Sequence, residues 1–377
     1  MSNVMVIIDG MTDNPIYELG GKTPFQYANC KNINYMRDNG CYGEFKTCPD
    51  GFKVDSMNCI MTLLGMESRD IPKGRAYLEA LAHDIAIDDD DLVMRCNIIT
   101  IDEKGELKSS CGEGISNDEF NDIINRNIAA FKENEKVKLY NIGGYKNILV
   151  IKGAKCEFES TITYAPHENL GAIIEDVMPY SSTVSTMLED IMRRSRGYIK
   201  NPGDGFKEYM LMPWGTSYVQ DVPKFYELHD KRCAVVCATE IVQGIASAMD
   251  AYLPKISGAT ADIDTDLKSK LNCALKLSKE YEIVIVHING TDEASHRKRP
   301  FEKASFLKSI DEIIVGGLVE SNCFNSILVC CDHSSLSDKG SHRGGYQPFF
   351  LYNMEGNNKG FIGRFDGKEA IRILTDN

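Results

Sequence analysis

The chain has 377 residues, of which 43% are hydrophobic and 26% are charged, and its formal net charge is −13. This composition is typical of a soluble globular protein and excludes disordered and collagen-like chains. The length favours two domains, or one large domain with an insert. The acidic balance argues against a nucleic-acid partner, because phosphate backbones bind to basic surfaces. A small phosphorylated metabolite stays open as a partner, since metal ions and a few arginines reverse the field locally.

The thirteen cysteines are odd in number and irregular in spacing, which is not the pattern of a disulfide framework. We expect reduced thiols that mostly pack as small core residues. The first residues run directly into an apolar segment without a basic region before it. No apolar run reaches the roughly 20 residues that cross a bilayer. The sequence therefore predicts a cytoplasmic protein without a membrane partner, and it leaves the oligomeric state open.

Short apolar runs alternate with helical patterns along the chain. Buried strands are predicted at 4–8, 147–152, 209–212, 233–238, 282–288, 326–331 and 348–352. Helices are predicted at 23–38, 117–132, 183–196, 221–230, 240–250, 264–280 and 301–318. The alternation predicts an α/β fold whose mainly parallel sheet is covered by helices on both sides.

The middle of the chain has a different character. Residues 67–180 contain an acidic run at 88–91, a polar helix at 117–132 and a turn at Gly143 and Gly144. We predict that 67–180 form an α+β insert, and that 1–66 and 181–377 together form the core domain.

Acidic and imidazole side chains follow several predicted strands. Asp9 ends the first strand, and Gly10 after it allows a tight turn or a close approach. Asp292 and His296 follow the strand at 282–288 and are four residues apart, so one helical turn brings them to the same face. Carboxylates and imidazoles bind hard or borderline divalent metals, and strand ends of an open α/β sheet converge.

A second strand end adds to this set. Asp332 and His333 directly follow the strand at 326–331, and His342 lies a few residues further on. Adjacent residues of extended backbone point to opposite sides, so this pair could serve two neighbouring ions. Together these residues predict a two-metal centre for phosphoryl chemistry. Ser56 precedes an apolar helical run and is the candidate nucleophile, with an ordinary helix-capping role as the alternative.

The order of these residues resembles the alkaline phosphatase superfamily and, more closely, the archaeal-type cofactor-independent (2,3-bisphosphoglycerate-independent) phosphoglycerate mutases. The segment SMNCIMTLLGM at 56–66 resembles that family's nucleophile helix, and HINGTDEASH at 287–296 resembles a later core motif. The stretch at 74–102 is similar to the start of the family's inserted lid. The resemblance implies an alkaline-phosphatase-like three-layer core with a mainly parallel sheet, plus a smaller inserted α+β lid domain at 67–180.

The resemblance also implies the ligands of two divalent metal ions. One ion would be held by Asp292, His296 and His342, and the other by Asp9, Ser56, Asp332 and His333. The family implies manganese, with zinc, cobalt or magnesium as alternatives. Ser56 would be the catalytic residue that carries the phosphoryl group.

In the lid, the resemblance points to Arg75 and Arg95 as substrate-binding residues, because arginine binds phosphate and carboxylate with two hydrogen bonds. A salt bridge within the lid is the alternative for both. His287 is a further candidate, as a partner that orients a metal ligand.

The implied activity is a metal-dependent isomerase (phosphotransferase) of glycolysis that interconverts 2- and 3-phosphoglycerate through a phosphoserine. The chain departs from the family near the nucleophile, where Asp55-Ser56-Met57 stands in place of Gly-Ser-Asp. In the lid, Cys111-Gly112-Glu113 stands in place of an Ala-Gly-Arg-like turn. Two alternatives stay open: a phosphotransferase or phosphohydrolase on another small metabolite, like the family's homoserine-kinase-like relatives, and a non-catalytic metal-binding relative.

Overall fold

The computed structural model describes residues 2–132, 134–201, 205–353 and 359–376. The strands are β1 (Ser2–Ile8), β2 (Cys41–Lys46), β3 (Leu92–Ile101), β4 (Leu107–Ser109), β5 (Val137–Gly143), β6 (Lys146–Ile151), β7 (Gly197–Asn201), β8 (Gly205–Ser217), β9 (Cys233–Val236), β10 (Ile283–Ile288), β11 (Phe324–Cys330), β12 (Ser334–Leu336), β13 (Ser341–Arg343), β14 (Tyr346–Asn353) and β15 (Gly360–Asp366). The α-helices are α1 (Pro24–Ala28), α2 (Lys31–Asn39), α3 (Ser56–Leu63), α4 (Ala76–Ala82), α5 (Asn117–Phe131), α6 (Thr183–Ser195), α7 (Phe225–His229), α8 (Glu240–Ala248), α9 (Leu267–Leu277), α10 (Gly290–His296), α11 (Pro300–Ile310), α12 (Gly316–Ser321) and α13 (Ala370–Thr375).

The chain forms two compact units. The core unit consists of Met1–Ile71 and Val222–Asn377, and the insert unit consists of Pro72–Asp221. Within the described ranges, no helix is both long enough and apolar enough to cross a membrane.

The core unit is built on a seven-stranded sheet in the order β15-β2-β14-β11-β1-β10-β9. The four strands from β11 to β9 run parallel, and their registers align Val4 of β1 with Val284 of β10 and Ile327 of β11. β14 is antiparallel to both β11 and β2, and β15 is parallel to β2. The predicted mainly parallel sheet is therefore confirmed, with an antiparallel strand between its two parallel parts.

Helices cover the apolar side chains of the central strands. Every residue of β10 and nearly every residue of β1 is therefore buried. Val4, Val6 and Ile8 lie in one cluster with Leu307 and Ile310 of α11. The intervening residues of β1 point to the opposite face, and α13 packs against β1 and β11 as well. The sheet thus fixes the carboxyl ends of its parallel strands between helical layers.

The insert unit has its own sheet and its own core. Six strands are antiparallel in the order β5-β6-β3-β8-β7, with β4 paired to β3. The long central strand β3 alternates its side chains between two apolar clusters, so that Ile98 packs with α5 and α6 while Ile99 packs with Met210 and Met212. The α+β character predicted for the insert matches this arrangement.

The second boundary of the predicted insert needs correction. The sequence placed 181–377 in the core domain, but α6, β7 and β8 belong to the insert unit, which ends at Asp221. The physical reason is strand pairing: β8 lies beside β3 and pairs with it from Val93 to Ile101. Leu188 and Ile191 of α6 also lie in the apolar cluster of this sheet. The apolar run at 209–212 is therefore a strand of the insert, and not of the core.

Candidate metal centre

Three neighbouring strands of the core sheet end beside one another. β11, β1 and β10 are adjacent and parallel, so their carboxyl ends lie at the same edge of the sheet. Asp9 follows β1, Asp332 follows β11, and Asp292 lies on α10 shortly after β10. None of the three is more than 6% exposed. The fold therefore gathers three acidic residues from distant parts of the sequence.

Gly10 makes this close approach sterically feasible. Its φ is +64°, in the left-handed region that favours glycine, and a Cβ at this position would overlap the Ser335 hydroxyl. Its backbone N–H donates to Asp332 Oδ1 at 3.0 Å. Both the tight turn and the close approach expected of Gly10 are observed.

The first ligand group consists of Asp292, His296 and His342. The Nε2 atoms of the two histidines are 3.0 Å apart, and each lies 3.2–3.3 Å from an oxygen of Asp292. His296 Nδ1 donates to the carbonyl of Gly340 at 3.0 Å, and His342 Nδ1 donates to that of Val54 at 3.2 Å. These bonds direct both Nε2 atoms towards the Asp292 carboxylate, which is the arrangement of imidazoles that bind a metal.

The second ligand group consists of Asp9, Ser56, Asp332 and His333. His333 Nε2 lies 3.5 Å from Asp9 Oδ1, 3.3 Å from Asp332 Oδ2 and 3.3 Å from Ser56 Oγ. Ser56 Oγ also donates to Asp9 Oδ2 at 3.2 Å. The predicted members of this group therefore lie together around the ring nitrogen of His333.

Within the part of the chain that the structure describes, two buried oxygens of the second group have no hydrogen-bond partner, namely Asp9 Oδ1 and Asp332 Oδ2. Their sister oxygens are satisfied, since Asp332 Oδ1 accepts from two backbone N–H groups and Asp9 Oδ2 accepts from Ser56. A buried carboxylate oxygen without a partner is costly, and a cation would remove that cost. The donor set therefore fits a divalent metal ion.

The pKa shifts of the acids in this cluster also indicate that a positive charge would stabilise it. Burial raises the pKa of Asp9 well above its ordinary value, and the negative charges of Asp332 and Asp292 raise it further. Burial also acts to raise the pKa of Asp292, but hydrogen bonds from His296 and His342 outweigh it and lower that pKa. One ligand atom from each of Asp9, Asp292 and His333 lies within 4.8 Å of the others, so Asp292 adjoins both groups.

Ser56 is the first residue of α3, as the sequence predicted. The residue before it, Asp55, is the helix N-cap, and its side chain accepts from the backbone N–H of Asn58 at 2.9 Å. Asp55 has φ −152°, an extended conformation that does not require glycine. The acid that replaces the family's glycine therefore caps the helix that carries Ser56.

Several residues that support the ligands were not found by sequence reasoning. Thr291 donates to the carbonyl of Asp9, Thr47 donates to that of Asp332, and Ser335 donates to the Asp292 carboxylate. Hydroxyl residues are common in any sequence, and only their positions in the fold distinguish these three. His287 was a candidate, and its Nε2 lies 3.2 Å from Asp9 Oδ2.

The two predicted substrate-binding arginines lie in the insert unit, where both pair with one acid. Arg75 Nε is 2.7 Å from one oxygen of the fully buried Glu79, and Arg95 Nε is 2.8 Å from the other. Arg95 also stacks over the ring of Trp214, with its guanidinium carbon 4.4 Å from the ring centroid. The salt bridge that the sequence left open is thus present for both arginines.

The fold and the site together define a class of protein. A mainly parallel sheet carries buried acids at its strand ends, with histidines of varying exposure and a serine at a helix N-terminus beside them, and the chain has a separate insert. The predicted fold class, an α/β core with a mainly parallel sheet and an inserted α+β domain, is confirmed.

Comparisons with known proteins agree with this class. The sequence model of the family described as 2,3-bisphosphoglycerate-independent phosphoglycerate mutase matches residues 38–202. The mutase of that name from Methanosarcina barkeri is 29% identical, over 98% of this chain and 95% of that protein. The solved structure of the PH0037 protein from Pyrococcus horikoshii has a TM-score of 0.79 at 21% identity, covering 100% of this chain and 97% of that one. The cofactor-independent phosphoglycerate mutase of Thermoplasma acidophilum has a TM-score of 0.62 at 17% identity, covering 100% and 99%.

The resemblance recognised from the sequence is therefore confirmed: this chain is similar over nearly its whole length to archaeal proteins named 2,3-bisphosphoglycerate-independent phosphoglycerate mutase.

Proposed function

We propose that this protein is a metal-dependent phosphomutase that interconverts 2- and 3-phosphoglycerate, with Ser56 as the phosphoryl carrier. Its curated relatives bear the name of that activity. The observation that carries the proposal is the position of the Ser56 hydroxyl, which lies 3.2 Å from Asp9 Oδ2 and 3.3 Å from His333 Nε2. The capping role left open for Ser56 falls to Asp55, so capping does not explain why the Ser56 hydroxyl lies beside a buried acid and a buried imidazole.

Two divalent cations belong to the proposal, with manganese as the expected ion and zinc, cobalt or magnesium as alternatives. Asp292, His296 and His342 would hold one ion, and the second ligand group would hold the other. When bound, the ions neutralise the buried carboxylates, favour the ionised serine and attract the substrate phosphate. Oxygen and imidazole donors suit each of these metals, so the donor set alone does not choose among them.

The remaining chemistry falls to the chain's own side chains. Asp9 Oδ2 accepts the hydrogen bond of Ser56 and so directs its oxygen. Ser56 Oγ attacks the phosphorus of the substrate, the bond from phosphorus to the substrate oxygen breaks, and a phosphoserine forms. The freed alkoxide oxygen takes up the proton that Ser56 gave up and becomes a hydroxyl, and the neighbouring hydroxyl of the same molecule loses its proton as it attacks the phosphoserine. The phosphoryl group returns to the substrate at the other position, and Ser56 is restored.

The insert is proposed as the substrate-binding lid, with Arg75 and Arg95 as contacts of the substrate anion. A lid is needed because water would otherwise take the phosphoryl group from the phosphoserine. The cytoplasmic location expected from the cysteine pattern is also part of the proposal, and it is supported by thirteen cysteines that are all free.

One observation favours a second candidate, a phosphotransferase or phosphohydrolase that acts on another small metabolite. Arg75 and Arg95 share the buried carboxylate of Glu79, which offsets part of their charge. A triply charged phosphoglycerate therefore meets less net positive charge on these two residues than their number suggests. A less anionic phosphate ester would tolerate this arrangement better.

The test is an assay of the metal-loaded protein with 3-phosphoglycerate in the absence of bisphosphoglycerate, followed by phosphorus NMR. We expect 2-phosphoglycerate to accumulate to equilibrium without release of inorganic phosphate. Accumulation of inorganic phosphate would favour the hydrolase instead. Bound metal without turnover of any phosphorylated metabolite would indicate a non-catalytic relative.

A further inference from the structure

A buried lysine of the core unit has a complete set of hydrogen bonds. Lys303 is on α11, and its side chain is 0% exposed. A buried ammonium is costly unless acceptors satisfy its three N–H groups. Its Nζ has three acceptors, which are the carbonyl of Ser335 at 2.7 Å, the Asp13 carboxylate at 3.0 Å and the carbonyl of Thr12 at 3.2 Å. The chemistry proposed above does not use Lys303.

The acceptors of this lysine lie in two segments, each of which follows a strand end and carries a proposed metal ligand. Thr12 and Asp13 come three and four residues after Asp9. Ser335 comes two residues after His333. One ammonium therefore ties the chain beyond β1 to the chain beyond β11.

The carboxylate of Asp13 strengthens the same connection. Its Oδ2 accepts from the Ser337 hydroxyl at 2.6 Å as well as from Lys303, and its two oxygens lie 3.1 and 3.2 Å from the backbone nitrogen of Ser337, which donates to both. The backbones are also joined directly, since the N–H of Ser335 donates to the carbonyl of Thr12 at 3.1 Å. The buried ion pair thus lies at the centre of the contact between the two segments.

Ser335 extends this connection to the first ligand group. Its hydroxyl donates to the Asp292 carboxylate, and a Cβ on Gly10 would overlap the same hydroxyl. Little room is therefore left for the hydroxyl to move, and its place depends on the backbone carbonyl that Lys303 holds. A shift of either segment would displace ligands of both groups.

We propose that Lys303 is a positioning residue of the metal centre, which holds the segments of both ligand groups in the geometry that binds cations. This role rests on the proposed function, since it requires these groups to bind metal ions. A lysine that only stabilised the fold would leave the manganese affinity of the folded protein unchanged on its removal. Charge alone would raise that affinity, because removal of a positive charge favours a nearby cation. A fall in affinity is therefore specific to positioning.

The variants are chosen so that the protein stays folded. Lys303→Met alone leaves the Asp13 carboxylate buried without its partner, so it is combined with Asp13→Asn, because replacement of a whole buried pair is tolerated better than loss of one partner. Lys303→Gln with Asp13→Asn removes the same charges and keeps two N–H donors on a side chain one bond shorter. Lys308→Met, on the exposed side of α11, is the matched control.

The experiment measures urea denaturation and then titration calorimetry with Mn²⁺ on the full chain stripped of metal. We expect Lys303→Met with Asp13→Asn to remain folded and to bind manganese about 10–100-fold more weakly than wild type. The Gln variant should lie between the two, and Lys308→Met should match wild type. Wild-type affinity in the folded Met double variant would overturn the proposal. Should that variant not fold, wild-type affinity in the Gln double variant would overturn it equally.

A failure of the proposed function is distinguishable from a failure of this role. Wild type that binds manganese and does not turn over phosphoglycerate would contradict the proposed reaction, while the order of the manganese affinities would still support the positioning role. Wild type that binds no manganese would contradict the metal centre itself, and the role of Lys303 would fall with it.

Discussion

Ser56 is the residue on which phosphoryl transfer depends. Ser56→Ala removes the oxygen that would carry the phosphoryl group, so we expect turnover to fall by on the order of 10³-fold or more. Metal binding to the first ligand group should remain, because Ser56 is not one of its members. Turnover and metal content are measured on the same sample, with Ser305→Ala on the exposed side of α11 as the matched control. Retained turnover in Ser56→Ala would remove this serine from the mechanism.

His287 is a positioning residue for the second ligand group. It is buried, its Nε2 lies 3.2 Å from Asp9 Oδ2, and its Nδ1 lies 3.4 Å from the Thr239 hydroxyl. Because Nε2–H donates to Oδ2, the other oxygen of Asp9 is left for a cation. Loss of such a partner typically weakens metal affinity by about 10–100-fold.

We therefore expect His287→Phe to weaken manganese binding to the second ligand group and to spare the first. His287→Gln should restore most of the affinity, because its amide N–H reaches about as far as Nε2. Titration calorimetry with Mn²⁺ measures both sites without relying on turnover. Equal affinities in wild type, His287→Phe and His287→Gln would show that the histidine only fills space.

At the scale of single elements, Asp55 stabilises α3 as its N-cap. It is also the residue that stands where the resembled motif has glycine. Its carboxylate caps the helix by accepting from Asn58, so Asp55→Ala should cost about 1 kcal/mol of unfolding free energy. Asp55→Asn should cost only a few tenths, because asparagine caps equally well. Urea denaturation measures both, with the exposed Glu18→Ala as the control. An Asp55→Ala variant with an unchanged unfolding free energy would contradict the capping role.

Glu79 connects α4 to β3 in the insert by pairing with Arg75 and Arg95. Removal of one partner of a buried ion pair leaves the other charges without compensation, so Glu79→Gln should cost about 3–5 kcal/mol. The exposed Glu135→Gln is the control for a change of charge alone. If Glu79→Gln lowers the unfolding free energy by less than the loss of an exposed ion pair does, Glu79 does not hold α4 to β3.

The same carboxylate predicts a pH dependence. Burial acts to raise the pKa of Glu79, but the charges of Arg75 and Arg95 outweigh it and hold that pKa below its ordinary value of 4.5. The unfolded chain then binds the Glu79 proton more readily than the folded chain does. The contribution of Glu79 to the unfolding free energy is therefore complete above pH 4.5 and is lost as the pH falls below that value. Denaturation in acid steps should show this loss in wild type and not in Glu79→Gln.

The elements that the sequence predicted well are those with continuous apolar runs. All seven predicted strands fall on strands of the structure, because runs such as 282–288 are buried on both faces. β2 was not predicted because it alternates buried with partly exposed residues, and β15 was not predicted because all of its residues are exposed or partly exposed; both carry glycines. The almost wholly buried β3 was also missed. The helix predicted at 23–38 is two helices, because Asn29 between them adopts a left-handed conformation with φ 50°. The helix at 301–318 is interrupted by a π-helical turn at Asp311–Val315.

At the scale of the whole molecule, the sequence located the candidate metal centre better than the boundary of the insert. Asp9, Asp292 and Asp332 each follow a buried strand, and parallel strands bring such residues together without any knowledge of the order of the sheet. The end of the insert at Asp221 depends on the pairing of β8 with β3, which are far apart in sequence. Long-range pairing of this kind leaves no local signal at position 180.

The partners of the ligands escaped prediction for a related reason. Thr47 and Ser335 act through single hydrogen bonds that exist only once β2, β11 and the β12–β13 hairpin have come together. The sequence contains many threonines and serines in similar local settings. Candidate metal ligands, which are of rarer residue types and have a fixed spacing, can therefore be recognised from the sequence. The residues that hold these ligands in place cannot.

A phosphoryl group trapped on Ser56 is the most direct test of the central claim. The manganese-loaded protein is mixed with 3-phosphoglycerate, quenched in acid during turnover and digested, and the peptide that contains Ser56 is analysed by mass spectrometry. The proposed mechanism predicts a phosphorylated Ser56 that disappears when the substrate is removed before the quench. Formation of 2-phosphoglycerate with Ser56 unmodified at every time point would contradict it.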